Sequence, residues 1–375
     1  GLKDAPGLAG TDPGSLGVLA SVIPALAERF DPAEPHDSAH LASSLSATIA
    51  SLADETPIAI GIDDAHYADA ASLGAIYAML TQLSAASVVV VMSAVVGDDV
   101  PRELLRLQSE LGRGIKGTDV QLDPLSATEI LALVESWDGI PPESRTDGRL
   151  ARRIGYETGG SPFLAVELLR GLEKAESLRD DASMWPIPNQ TLESPLPFSI
   201  PALVRRAITA RIVDLESNAR SVLCAASIGG QVLDIDLIAS ITGLDEAVVE
   251  RGAEHLERHH FVDFDGDRYV FSAPVMADVV SHECMTRGEK RRLTKEAIVA
   301  LNGRSDLDSV VLRAELRAAV DPGREAVEDA IEVARQGIEL GSPRAAKRAL
   351  AAAQRADADQ SAAARIEQLR RKISG

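Results

Sequence analysis

Aromatic side chains make up only 3% of the 375 residues, so any core must be built from Leu, Ala, Val and Ile, which the 45% hydrophobic content supplies. That balance favours close helix packing over a β-sandwich. Cysteine is nearly missing. Cys224 and Cys284 stand far apart in apolar, helix-like surroundings, which excludes a disulfide framework or a zinc pattern and fits a reducing cytoplasm. Basic residues are scarce too: 38 Lys and Arg face 57 Asp and Glu, a net charge of −19. Nucleic-acid binding needs clustered cations, so none is expected from this segment itself. The last stretch, 341–375, runs the other way, with eight basic residues against three acidic, and reads as the solvated face of terminal helices. No apolar run reaches the roughly 18 residues that span a bilayer, and there is no signal-peptide pattern.

Against that background one stretch stands out. Thr56-Pro57-Ile58-Ala59-Ile60-Gly61-Ile62 is apolar and β-prone, and it ends abruptly in Asp63-Asp64. An apolar run without alternation reads as a parallel strand buried on both faces. Two acids at the carboxyl end of such a strand are placed to hold a metal–phosphate group and to orient water, the Walker B arrangement of P-loop nucleotidases. The usual partner, a glycine-rich loop ending in Gly-Lys-Ser/Thr, is absent from the 375 residues, and the glycines of 1–17 come with no Lys-Ser/Thr pair. Together with Gly1 in first place, this predicts a fragment or trimmed chain.

Along residues 1–122 helical and strand patterns alternate. Helices are predicted at 15–30, 38–53, 72–83 and 101–111, and strands at 57–62, 87–92 and, more briefly, 116–122. Strand, helix, strand in this rhythm implies a parallel sheet with crossover helices. Residues 123–180 read as wholly helical, opened by a Ser126-Ala127-Thr128-Glu129 capping box and broken at Gly159-Gly160-Ser161-Pro162. Residues 181–200 read as a linker. From 201 to 286, helices at 201–215, 217–228, 234–242 and 245–259 precede two short β-prone runs around Asp265-Gly266-Asp267. That dipeptide is a hairpin signal, and helices followed by a hairpin suggest a winged helix. Leu223, Ile228, Leu237, Val248, Leu256 and Phe271 are its expected core. Residues 287–375 read as successive Ala-rich helices, a tetratricopeptide-like solenoid without a strict 34-residue consensus.

These motifs, in this order, resemble the signal-transduction ATPases of the STAND class, in particular the AAA-type ATPase part of large LuxR/MalT-like regulators. The segment Ile62-Asp63-Asp64-Ala65-His66-Tyr67-Ala68-Asp69-Ala70-Ala71-Ser72-Leu73 resembles the family's Walker B, with Tyr67 in place of the usual Trp. Val88 to Ser93 resembles the sensor 1 strand. Leu122-Asp123-Pro124-Leu125-Ser126 resembles the opening of the helical lid, and Gly159-Gly160-Ser161-Pro162-Phe163-Leu164 its G-G-x-P element. Leu196 to Arg211 resembles the stretch entering the winged helix, and Val222 to Gly229 its L-x-x-A-A-x-x-G helix.

The resemblance implies a partial P-loop core, a lid, a winged helix and a helical-repeat sensor. It also implies ATP or ADP with Mg²⁺ as cofactors, bound weakly or not at all without the phosphate loop. Asp63 would hold the metal and Asp64 would polarise water. Ser93, Gly160 and Pro162 would contact the nucleotide. Partners would be other protein domains, a further copy, or an inducer on the repeats. One departure is Phe271-Ser272-Ala273, where the family carries Phe-x-His. Another is Ser93-Ala94-Val95-Val96, with no Arg after the strand.

Plainer readings stand beside these. Asp63 and Asp64 are also suited to capping the helix that follows. His66 and Tyr67 are suited to packing the loop, and Ser93 to ending its strand. The chain as a whole is also compatible with a degenerate, non-hydrolysing scaffold for protein interaction. His255 and His259 have i, i+4 spacing that can hold zinc, but without the Glu of a protease motif a wetted helix face explains them. Asp263, Asp265 and Asp267 read as a charged turn, since their spacing does not fit a calcium loop.

Overall fold

The computed structural model describes residues 4–95, 100–139, 148–175, 196, 199–357 and 361–374. The chain divides into two units, Gly1–Leu122 and Asp123–Gly375. It is mostly helical, with a small parallel sheet and a set of helical repeats.

In the first unit the helices are α1 (Pro13–Ala20), α2 (Pro24–Ala27), α3 (Ser38–Glu55), α4 (Ala70–Gln82) and α5 (Arg102–Glu110), and the strands are β1 (Ile58–Ile62) and β2 (Val88–Met92). The helix expected over 15–30 is two helices, because Pro24 stands at the first turn of α2 and cannot continue the ladder from α1. The strands pair in parallel, from Ile58 opposite Val88 to Ile62 opposite Met92, as the crossover through α4 requires.

Two expectations fail here. The strand predicted at 116–122, with Asp119–Leu122 in the sheet, carries no ladder; among the described residues the parallel sheet is β1 and β2 alone. A short apolar stretch becomes a strand only when an edge is offered to its backbone. The second concerns burial. Both strands alternate half-buried and exposed rather than burying both faces. Ile62 and Met92 pack towards Leu73 of α4 and Leu104 of α5. On the other face Ala59, Gly61, Val89 and Val91 are open, with Val91 at 65% exposure.

The second unit starts with α6 (Ala127–Glu135), α7 (Arg149–Thr158) and α8 (Pro162–Lys174). The predicted capping box is present: Ser126 Oγ accepts from the Glu129 N–H, and the Glu129 carboxylate accepts from the Ser126 N–H at 2.8 Å. The linker expected at 181–200 lies outside the described residues except for Leu196, Ser199 and Ile200. Then come α9 (Ala202–Val213), α10 (Ser217–Gly229), β3 (Val232–Leu233), α11 (Ile235–Thr242), α12 (Glu246–Arg258), β4 (Val262–Phe264), β5 (Tyr269–Phe271) and α13 (Pro274–Glu283). The hairpin joins β4 and β5. β3, two residues long and not foreseen, pairs with the other edge of β5 to give the antiparallel order β3-β5-β4. Of the six expected core residues, Val248 is only half-buried. Its neighbour Val249 takes the inward position on α12.

One apolar cluster runs from Ile130 through Leu168, Leu223 and Val279 to Leu301, joining α6–α13 to the next helix. The repeats follow as α14 (Arg287–Leu301), α15 (Leu307–Val320), α16 (Arg324–Glu339), α17 (Pro343–Ala356) and α18 (Ala363–Ser374), each packed on the next. Alanines fill their shared core, which lets the backbones approach closely. Arg348 binds Glu315 through Nε at 3.1 Å and Nη2 at 2.6 Å, and Arg365 clamps Glu328.

Candidate functional site: an acidic turn at the end of a parallel strand

β1 leaves the sheet at Ile62, and the chain turns at once. Asp63 and Asp64 are both exposed. Asp64 has φ 53° and ψ 44°, a left-handed conformation that aspartate tolerates better than most residues. A short 3₁₀ turn over Ala65–Tyr67 follows. Neither acid caps the next helix. That role belongs to Asp69, whose carboxylate accepts from the Ser72 N–H at 2.8 Å; this bond and the Ser72 hydroxyl hold its pKa below the ordinary value. The capping explanation for Asp63 and Asp64 therefore falls away.

The turn is laced to the end of β2. The Ser93 N–H donates to Ile62 O at 2.9 Å, and the Ala65 N–H donates to Ser93 O at 2.8 Å. The Asp64 N–H donates to Ser93 Oγ at 2.8 Å, and Ser93 Oγ donates to Asp63 Oδ1 at 2.5 Å. One step further on, the Val95 N–H donates to His66 Nδ1 at 3.3 Å. The His66 and Tyr67 rings meet at a tilt with centroids 4.1 Å apart, yet Tyr67 is 83% exposed and does not pack the loop. Ser93 and the acid pair are thus brought together across 30 residues of sequence. An exposed carboxylate pair on a fixed turn suits a hard, oxygen-seeking cation such as Mg²⁺. Among the described residues there is no group of three or more His, Cys, Asp or Glu that could hold a metal ion without outside ligands.

The other two expected contacts, Gly160 and Pro162, belong to the second unit. Gly160 is buried and Pro162 is exposed at the first turn of α8. The two glycines before it are there for backbone approach. A side chain on Gly159 would begin 1.8 Å from Ser272 O, and one on Gly160 would begin 2.5 Å from Leu125 O. Both have positive φ, and the Leu125 N–H donates to Gly160 O at 2.8 Å. The turn therefore meets both Pro124-Leu125 and Ser272-Ala273, three stretches that the sequence order keeps well apart. Ala273 is buried at the start of α13.

Sequence reasoning missed the charge behind this turn. Arg153 and Glu157 are an i, i+4 pair inside α7, both buried, 2.5 Å apart. Burial raises the Glu157 carboxyl to about 7; Arg153 opposes that rise and Asp278 adds to it. The i, i+4 spacing was visible, but it normally marks a solvated face. Of the remaining candidates, the His255 and His259 rings meet at a tilt with centroids 4.4 Å apart. Asp265 organises its own hairpin turn, accepting from the Asp267 and Arg268 N–H groups at 3.1 and 3.0 Å. Both cysteines are free thiols, and burial raises the pKa of each. No described helix is long and apolar enough to cross a membrane.

No protein-family model matches the chain, and no curated protein matches it. Among solved structures it is similar to a signal-transduction ATPase with numerous domains (STAND) protein with a tetratricopeptide repeat sensor from Pyrococcus horikoshii. The identity is 14% and the TM-score 0.34, over 89% of this chain and 44% of that one. This chain thus spans less than half the length of that protein.

Proposed function

We propose that this chain is the switch-and-sensor portion of a STAND-type signal-transduction ATPase, of the kind found in LuxR-like transcriptional regulators. The observation that carries the reading is the acid turn: two exposed carboxylates at the carboxyl end of a parallel strand, locked to the end of its neighbour. In an intact switch Asp63 would hold Mg²⁺ on the nucleotide's phosphates, and Asp64 would orient water. Residues 201–286 would act as a winged helix, and the repeats from α14 onward would receive an inducer or a protein partner. Affinity for Mg·ATP in this chain is expected to be weak, because a backbone phosphate cradle supplies most of it in P-loop proteins.

A scaffold without hydrolysis is the second reading. It is favoured by Ala273, which has no imidazole to offer a phosphate, and by the open apolar sheet face at Val89 and Val91. Titration of the full chain with Mg·ATP, followed by amide NMR shifts, separates the two. The switch reading expects millimolar-range shifts at 63–66 and 93–95 that vanish in Asp63→Asn. No response in the wild type favours the scaffold. Micromolar binding untouched by Asp63→Asn would place the phosphates elsewhere and overturn the role of the acid turn.

A further inference from the structure

Every hydrogen-bonding group of Ser93 is engaged with the acid turn. Its N–H and C=O extend the parallel ladder past the strand ends, to Ile62 O and from the Ala65 N–H. Its hydroxyl accepts from the Asp64 N–H at 2.8 Å and donates its single proton to Asp63 Oδ1 at 2.5 Å. A serine hydroxyl has one proton to give. While that proton is engaged by Asp63, it is not available to an incoming phosphate. The same contact fixes which carboxylate oxygen of Asp63 is occupied and which is left for a cation. It also supplies the acceptor for the N–H of the left-handed residue Asp64.

We propose that Ser93 is a positioning residue for the Asp63–Asp64 pair, rather than a direct phosphate contact. The proposal rests on the acid-turn reading above and assigns Ser93 a role within it. Ser93 sits where β2 ends, so the aim of both carboxylates depends on β2 staying in register with β1. Hydroxyl and not bulk is what the role demands. Thr, which keeps the hydroxyl and suits a strand end, should substitute; Ala should not.

The test uses the full chain with Ser93→Ala, Ser93→Thr and Asp63→Asn, and two measurements. The first is amide hydrogen exchange at Asp64 and Ala65. Ser93→Ala should speed exchange at Asp64 by about three- to tenfold, the equivalent of one lost hydrogen bond, and Ser93→Thr should stay near wild type. The second is paramagnetic broadening of the amides of 63–66 by Mn·ATP. Broadening should be lost in Asp63→Asn, weakened in Ser93→Ala and restored in Ser93→Thr. If Asp63→Asn abolishes the broadening but Ser93→Ala leaves both broadening and exchange unchanged, Ser93 does not position the pair. Broadening weakened equally by Ala and Thr would also overturn the proposal, since it would show that the serine meets the ligand directly. If the wild type shows no broadening at all, the acid-turn reading fails; exchange at Asp64 then still decides whether Ser93 holds the turn.

Discussion

The two units are built from the same few residue types and end in opposite states of completion. In Asp123–Gly375, Leu, Val and Ala side chains close into continuous cores, with Leu168, Leu223 and Val279 fully inside. In Gly1–Leu122 the buried clusters are two small groups, and the sheet is covered on one face. The difference follows from the elements. A helix satisfies its own backbone and needs only one apolar stripe covered. A parallel strand must find partners for its backbone and cover for both faces. Val-rich β2 therefore leaves Val89 and Val91 open, and it is at the end of this sheet that the acid turn is tied down by side-chain bonds.

The comparison can be broken at several points. Leu168→Ala, in the closed core, should cost about 2–5 kcal/mol in denaturant unfolding. Gly159→Ala should cost about 2–4 kcal/mol, because it adds a steric collision with Ser272 O to a left-handed backbone. Gly155→Ala, one turn earlier in α7, would set its Cβ only in ordinary contact with Ile130 Cγ2 at 4.0 Å, and should instead stabilise by roughly 0.5–1 kcal/mol. If the two glycine variants behave alike, the close approach of the 159–160 turn to Ser272 is not what the second unit depends on.

The pH dependence of the second unit should carry the mark of Glu157. Its folded-state pKa is raised to about 7 from an ordinary 4.5, chiefly by burial. A raised carboxyl contributes stability that is fully present below about 4.5 and lost as pH climbs through 7. Glu157→Gln should remove that loss, so its stability relative to wild type should rise between pH 4.5 and 8 by up to about 3 kcal/mol. A difference that stays flat with pH would mean that Arg153 keeps the carboxylate charged. Ser126→Ala, which removes one half of a capping box, should cost about 1 kcal/mol. Val91→Thr, on the open sheet face, should change stability by less than about 0.5 kcal/mol.

The sequence was readable wherever local chemistry decides the outcome. The Ser126 capping box, the Asp265-Gly266 turn and the Ala-rich helix periods all have local causes. So does the acid pair at the end of β1, announced by the abrupt change from Ile62 to Asp63. Long-range partners were not readable. Nothing near 116–122 says that no strand edge awaits it, and nothing near Val89 says that its face stays open. The Ser93–Asp63 bond and the meeting of Gly159 with Ser272 each depend on folding together segments that show no mutual signal in the chain, and for the Arg153–Glu157 pair the i, i+4 spacing was visible but its burial was not. Val248 and Val249 mark the limit of helical periodicity: both fit the apolar pattern, and only packing chooses between them.

Residue-resolved native-state hydrogen exchange on the full chain tests the contrast between the units most directly. The amides of 58–62 and 88–92 should exchange through local opening, at a free energy well below that of global unfolding. Those of 164–172 and 222–226 should exchange only when their unit unfolds globally. Equal protection in the parallel strands and the helical core would contradict the account, because a sheet covered on one face would then be as firmly held as a closed core.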